Sequence, residues 1–209
     1  MLQKVYGGLK MRWLSVVLFA LAAGVFTGVM LLIPAFENTS LQDIGISQEW
    51  WLIFAVLIVV NCSGGLEAAA KCFVFFLISQ PVVYLVEVLF GPLSMELALY
   101  YYKSIWLPIT LLTLPGGFIA YFCKKQNAFG AVILALGNAL QALLGLSYLK
   151  KLLQAPPQHL LTMLVCFGSI FVMGFGIQRK KSGRLIAMVL PFVLLAVACV
   201  LLKLTGRTL

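Results

Sequence analysis

The sequence predicts an all-α polytopic membrane protein, a bundle of seven transmembrane helices with the N-terminus in the cytoplasm and the C-terminus outside. Three observations carry this reading. First, 63% of the residues are hydrophobic and only 10% charged, at a mean hydropathy of +1.07. A chain of 209 residues cannot hide that much apolar surface from water. Second, almost every stretch between polar breaks is apolar enough to be a span, about 20 residues being what a bilayer core requires. Third, the basic residues lie in short clusters between the apolar runs. In the seven-span layout ten fall inside (Lys4, Lys10, Arg12, Lys71, Lys124, Lys125, Arg179, Lys180, Lys181, Arg184) and five outside, as the positive-inside rule requires. Strands are disfavoured because the apolar runs show no period-two alternation. Residues 1–209 therefore read as a single integral-membrane domain, expected in a plasma (inner) membrane.

The first span runs from Trp13 to Phe36, after Lys4, Lys10 and Arg12 and before Glu37, Asp43 and Glu49. Ala20-Leu21-Ala22 imitates a signal-peptidase site, but the apolar run continues to Pro34, so this is read as an uncleaved helix. Gly24 and Gly28 form a GxxxG pair that permits close helix contact. The polar segment Leu41 to Gln48 is placed outside, and Trp50-Trp51 mark the outer interface where the second span begins. Its apolar part, Trp50 to Val60, is short for a full crossing. Either Ile44 to Glu49 extends the helix outward, or the Asn61–Gly65 break lies below the headgroups. The alternative layout is accordingly six spans plus one re-entrant or interfacial segment.

Cys72 to Phe90 is the third span, and Gly91-Pro92 closes it. A loop carrying Glu96 leads to Lys103, and the fourth span covers Ile105 to Cys123. Pro108, Pro115 and Gly116-Gly117 predict that the fourth helix is kinked or broken, because each proline frees a backbone carbonyl that must find another partner. The fifth span is Ala128 to Tyr148, followed by an outside loop with Lys150, Lys151 and Pro156-Pro157. The sixth runs from His159 to Ile177 and the seventh from Leu185 to Leu202, with Lys203 and Arg207 ending the chain outside. This layout allows a parallel three-plus-one-plus-three repeat, supported only by a Val-x-x-Ala-Leu pattern shared by Val17–Leu21 and Val132–Leu136.

Polar residues at membrane depth are the candidate site. Gln80, Tyr84 and Glu87 stand at i, i+4, i+7 and share a helix face. Glu87 is the only acid in the expected spans, and intramembrane acids are functional candidates. The plainer account is that Glu87 reaches water at the outer end while Gln80 bonds a neighbouring helix. For Asn61-Cys62-Ser63-Gly64-Gly65 through Lys71 two uses are open. In one, Ser63 caps a helix and Glu67 pairs with Lys71. In the other, a helix break exposes N–H groups and Asn61 to a polar solute or anion. Asn138 and Gln141 in the fifth span either bond neighbouring helices or line a solute site, the former being commoner. Thr110 and Thr113 add hydroxyls on the fourth.

Several classes are excluded. The net charge of +9 would suggest nucleic acid in a soluble chain, but no basic segment is interleaved with aromatics, so the partner expected is the anionic lipid bilayer. The odd set of five cysteines, without a CxxC, predicts packing residues and not a disulfide framework. His159 is the only histidine, which excludes metal sites built on several His ligands, and no cofactor or metal is expected. A serine–histidine hydrolase would have to join Ser63 and His159, which fall near opposite ends of the bundle, so an intramembrane hydrolase stands only as a distant third reading and no enzyme activity is expected. The first functional expectation is a small transporter or solute-binding membrane subunit whose pocket lies between the third, fourth and fifth spans. It would be built from Asn61, Ser63, Gln80, Tyr84, Glu87, Thr110, Thr113, Asn138 and Gln141, and would take a small molecule or ion. The second is a non-catalytic subunit whose glycine faces dock a membrane-protein partner.

Overall fold

The computed structural model describes residues 2–46, 48–154 and 157–204, without the side chains of 3, 46 and 202–204. The expected turn at Pro156 and the terminus at Arg207 lie outside the described residues. Among these residues there is no strand. Six helices are long and apolar enough to cross a membrane: Trp13–Leu32, Gly65–Phe90, Met95–Lys124, Ala128–Gln154, Leu160–Ile177 and Lys181–Leu201. The chain is an all-α membrane helix bundle. It divides into two compact units, one of Leu9–Tyr121 and one in which the N-terminal residues through Gly8 join Phe122 onward. A four-residue helix, α1 (Leu2–Val5), opens the chain.

In the Leu9–Tyr121 unit, α2 (Trp13–Leu32) lies along α5 (Gly65–Phe90). The contact depends on the absence of side chains at two glycines. A Cβ at Gly24 would stand 2.7 Å from the Ser79 carbonyl oxygen and 2.8 Å from Val82 Cβ, and one at Gly28 would stand 2.8 Å from Val86 Cβ. Further along, Leu32 reaches Gly91. Residue numbers rise together along this seam, so α2 and α5 are parallel, and the chain between them has to travel back.

The return is made in two pieces, α3 (Ser40–Ile46) and α4 (Glu49–Val60). Gly45 of α3 packs beneath Leu31, at the far end of α2. Asn61, at the end of α4, accepts the Leu9 N–H at 2.8 Å, at the basic end where α2 begins. Twelve residues of α4 extend only about 18 Å against a core of about 30 Å. The Trp51 ring lies 6.0 Å from both Phe75 and Phe76, which are about 15 Å along α5 from Gly65. Helix α4 thus starts near half depth, and α3 supplies the outer part. The expected second span is therefore a broken crossing. Asp43, which the sequence placed in the outer segment Leu41–Gln48, and Glu49, next after that segment, are buried, Glu49 completely.

Other boundaries move as well: the first span ends at Leu32 and not at Phe36, the fifth runs on to Gln154, and the seventh begins at Lys181. Helix α5 begins at Gly65 and not at Cys72, because Ala68-Ala69-Ala70 and the Glu67–Lys71 ion pair extend it. The loop expected up to Lys103 is helical from Met95. Ser94 accepts the Leu97 N–H at 3.3 Å and Glu96 sits in the first turn, an N-terminal signal of cap and acid. From α6 (Met95–Tyr101) the chain passes through a π-helical turn (Tyr102–Trp106) into α7 (Leu107–Ala120). The Leu107 N–H reaches Tyr102 O, one residue further back than an α-helix allows. The expected break is not found: the helix runs on without interruption through Pro115 and Gly116-Gly117, and the irregularity is this π turn ahead of Pro108. The centre of the unit is aromatic: Phe19, Phe54, Phe75, Trp51 and Trp106 pack with ring centroids 5.0–6.2 Å apart.

In the other unit α8 (Ala128–Gln154) is the middle helix, packing on both α9 (Leu160–Ile177) and α10 (Lys181–Leu204). Gly145 admits Cys166 and Phe167, and Gly174 admits Met188. At the basic end, Gln126 Nε2 donates to Ile177 O at 2.8 Å while its Oε1 accepts the Arg179 N–H at 2.6 Å. The Tyr6 ring covers Gly176 of α9, and burial pushes its phenol up from the usual value. None of the five cysteines is in a disulfide, and Cys62, Cys72, Cys123 and Cys166 are buried among packing residues.

Candidate functional site

Helices α5 and α7 run antiparallel. Gly117 meets Ala69 and Cys72, with a Cβ there 3.1 Å from Ala69 Cα, and Phe118 covers Gly65. Thr110, seven residues before Gly117, stands about 10 Å further from the basic end, and the same distance up α5 from Ala69–Cys72 reaches Phe76 to Ser79, with Gln80 one residue beyond. Trp51, on Phe76, lies in this layer, and Glu49 is about 3 Å above it. Gln80, Ser79, Thr110, Trp51 and Glu49 thus fall within about one helical turn in height.

Every member of this layer is at most 2% exposed. Ser79 Oγ, Gln80 Nε2, Thr110 Oγ1 and Trp51 Nε1 have no hydrogen-bond partner among the described residues. Burying an unsatisfied group of this kind costs about 1–3 kcal/mol, and buried polar side chains are normally satisfied. Glu49 opens α4, where the positive end of the helix favours a carboxylate. The layer therefore combines donors, a hydroxyl acceptor and an acid at the start of a broken helix, the components with which membrane helices hold polar solutes and ions.

Tyr84 is half-buried and pairs with the Trp106 indole. It lines a cavity of about 220 Å³ with Pro81, Leu85, Met95 and Tyr102, and that cavity is almost wholly apolar. Pro81, inside α5, had no part in the sequence argument about this face. Glu87 is half-buried one turn from the end of α5. Thr113 donates to Thr110 O at 2.6 Å.

Asn61, besides accepting from Leu9, donates to Leu57 O at 2.8 Å. Ser63 does not cap α5: the cap position is Gly64, and the Ser63 N–H and hydroxyl both donate to Glu67. Lys71, 3% exposed, donates to the same carboxylate and to Met11 O. This strap holds the start of α5 against the start of α2. Asn138 and Gln141 are both completely buried on α8. Asn138 Nδ2 donates to Ala187 O of α10 at 2.9 Å, which is a helix-bonding contact, while its Oδ1 has no hydrogen-bond partner among the described residues.

Glu49, Asp43 and Ser79 were not picked out from the sequence. For the two acids the available signal was the shortness of the apolar run Trp50–Val60. A crossing that needs more residues has to draw its polar neighbours inside. Among the described residues no three His, Cys, Asp or Glu side chains converge in a way that could hold a metal.

No family model matches the chain, and no match is found among curated proteins or solved structures. What the helices define is a class, the integral-membrane helix bundles.

Proposed function

We propose that the protein is a small membrane transporter or solute-binding membrane subunit of the plasma (inner) membrane, with its N-terminus in the cytoplasm. The observation that carries this reading is the half-depth layer in which Gln80 and Thr110 are buried with unsatisfied hydrogen-bonding atoms beside the broken α3–α4 crossing. A bundle does not gain stability from such groups, whereas a polar solute that completes them gains orientation and affinity. The partner-subunit reading has less support from the glycine pair it started from, since Gly24 and Gly28 are covered by α5.

The test uses Gln80→Leu and Thr110→Val in the purified full-length protein. Each removes an unpartnered polar atom at nearly constant volume, so each variant is expected to melt at or above the wild-type temperature. A panel of amino acids, sugars, nucleobases and carboxylates is then screened by thermal shift, because a ligand stabilises the state that binds it. At least one solute is expected to raise the wild-type melting temperature and to leave both variants unmoved. A solute response unchanged in both variants, or none in the wild type, would remove the proposal.

A further inference from the structure

Helices α8 and α10 begin on one cavity of about 270 Å³ at the basic end of their unit, lined by Asn127, Ala128, Gln178, Lys180, Ser182 and Gly183 among others. Each helix start carries roughly half a positive charge, and the amides of its first turn have no intrahelical acceptor. On α8, Asn127 Oδ1 takes the Gly130 N–H at 2.9 Å, which leaves the amides ahead of Gly130 for another acceptor. On α10 the Arg184 N–H is bonded to Lys180 O at 3.0 Å, so the amides of residues 181–183 precede the first intrahelical bond. Lys180 is exposed and makes no ion pair among the described residues. Two converging helix starts and an ammonium make an anion site.

A second observation narrows the anion. Gln178 is completely buried. Its Nε2 donates to Cys123 O at 2.6 Å and to Lys125 O at 3.2 Å, which fixes the amide. Its Oε1 has no donor among the described residues. That oxygen faces the first turn of α10, where a Cβ on Gly183 would stand 2.7 Å from it. The occupant must therefore offer negative oxygens to the amides and Lys180, and one hydrogen-bond donor to Gln178. Sulfate has no such donor. Hydrogen phosphate and phosphate esters with a neighbouring hydroxyl have one.

We infer that this cavity binds a hydroxyl-bearing phosphate, with its charged oxygens on the starts of α8 and α10 and on Lys180 and its O–H donating to Gln178 Oε1. The group can come from a soluble phosphate or from a lipid headgroup such as that of phosphatidylglycerol, and nothing in this site depends on the solute layer of the other unit.

The test is binding to the full-length protein. In detergent, inorganic phosphate is titrated against sulfate at equal ionic strength. In nanodiscs, the melting temperature is compared between phosphatidylglycerol and phosphatidylcholine, whose headgroup has no hydroxyl. Phosphate binding at least tenfold tighter than sulfate supports the site with a soluble source. A phosphatidylglycerol-specific rise in melting temperature, with soluble phosphate silent, supports it with a lipid source. In either arm Lys180→Glu, on an exposed side chain, is expected to weaken the effect at least tenfold or abolish it. Gly183→Ala, which displaces Gln178 Oε1, is expected to erase the discrimination. Equal response to phosphate and sulfate, no response in either arm, or indifference to Lys180→Glu would overturn the inference.

Discussion

The parallel α2–α5 seam can be tested with a single methyl group. In Gly24→Ala the added carbon would stand 2.7 Å from the Ser79 carbonyl oxygen, 2.8 Å from Val82 Cβ and 2.9 Å from Val82 Cγ1. Favourable carbon contacts lie at about 3.5–4.0 Å, so the two helices must part by most of an ångström. The obstacles are backbone and the root of a β-branched side chain, and neither can rotate away. A gap of 0.5–1 Å forfeits about a quarter to a half of each contact along the seam, and overpacking of this kind costs about 1–3 kcal/mol. In a chain of this size the melting temperature should fall by about 3–10 °C. The matched control is Gly116→Ala, also helical, where the added carbon meets nothing within 4 Å. It should gain up to about 1 kcal/mol from helix propensity. Thermal melts of both variants in one mild detergent, followed by tryptophan fluorescence, make the comparison. If Gly24→Ala melts with Gly116→Ala or above it, the seam is wrong, and with it the argument that residues 33–64 must travel back.

Two further outcomes follow from buried polar contacts. Lys71→Met leaves Met11 O without its donor and removes an ion pair whose lysine side chain is 4% exposed and whose acid is 31% exposed. It should cost about 1–3 kcal/mol, with Glu67→Gln milder because that carboxylate is partly in water; a larger melting loss for Glu67→Gln would contradict the strap. Asn138→Leu removes the bond to Ala187 O and should cost about 0.6–1.7 kcal/mol. Gln80→Leu should cost nothing, and the two melts measured side by side check whether the carboxamides differ as described.

Where apolar runs were long and bounded by charge, the sequence located helices well: the starts near Trp13 and Ala128 and the end at Phe90 coincide. Failures came where local polar chemistry extends a helix beyond its apolar run. Glu67–Lys71 carries α5 inward and Ser94 with Glu96 starts α6 early, and hydropathy registers neither. Of the site, Gln80 and Thr110 were legible because carboxamides and hydroxyls stand out at membrane depth. Glu49 was not. Beside two tryptophans and outside an apolar run, an acid reads as an interface residue, and only the parallel packing of α2 on α5 requires the chain to return and draw it inside. Ser63 illustrates the reverse error: its residue type suits a cap, but the Glu67 carboxylate four residues on takes both of its donors.

The seat of Tyr6 also has a temporal side. Residues through Gly8 pack with the half of the chain that begins at Phe122, and Gly176, on which the Tyr6 ring rests, is made long after Tyr6 itself. At a ribosomal pace of about 5–20 residues per second, the leading segment waits roughly ten to thirty seconds for its partner to be made. During that interval the Leu9–Tyr121 helices can assemble while the leader ahead of them still lacks its docking face. Closure of the Leu2–Gly8 segment onto α9 has to wait for α9, so it follows the interval in which the Leu9–Tyr121 helices can assemble.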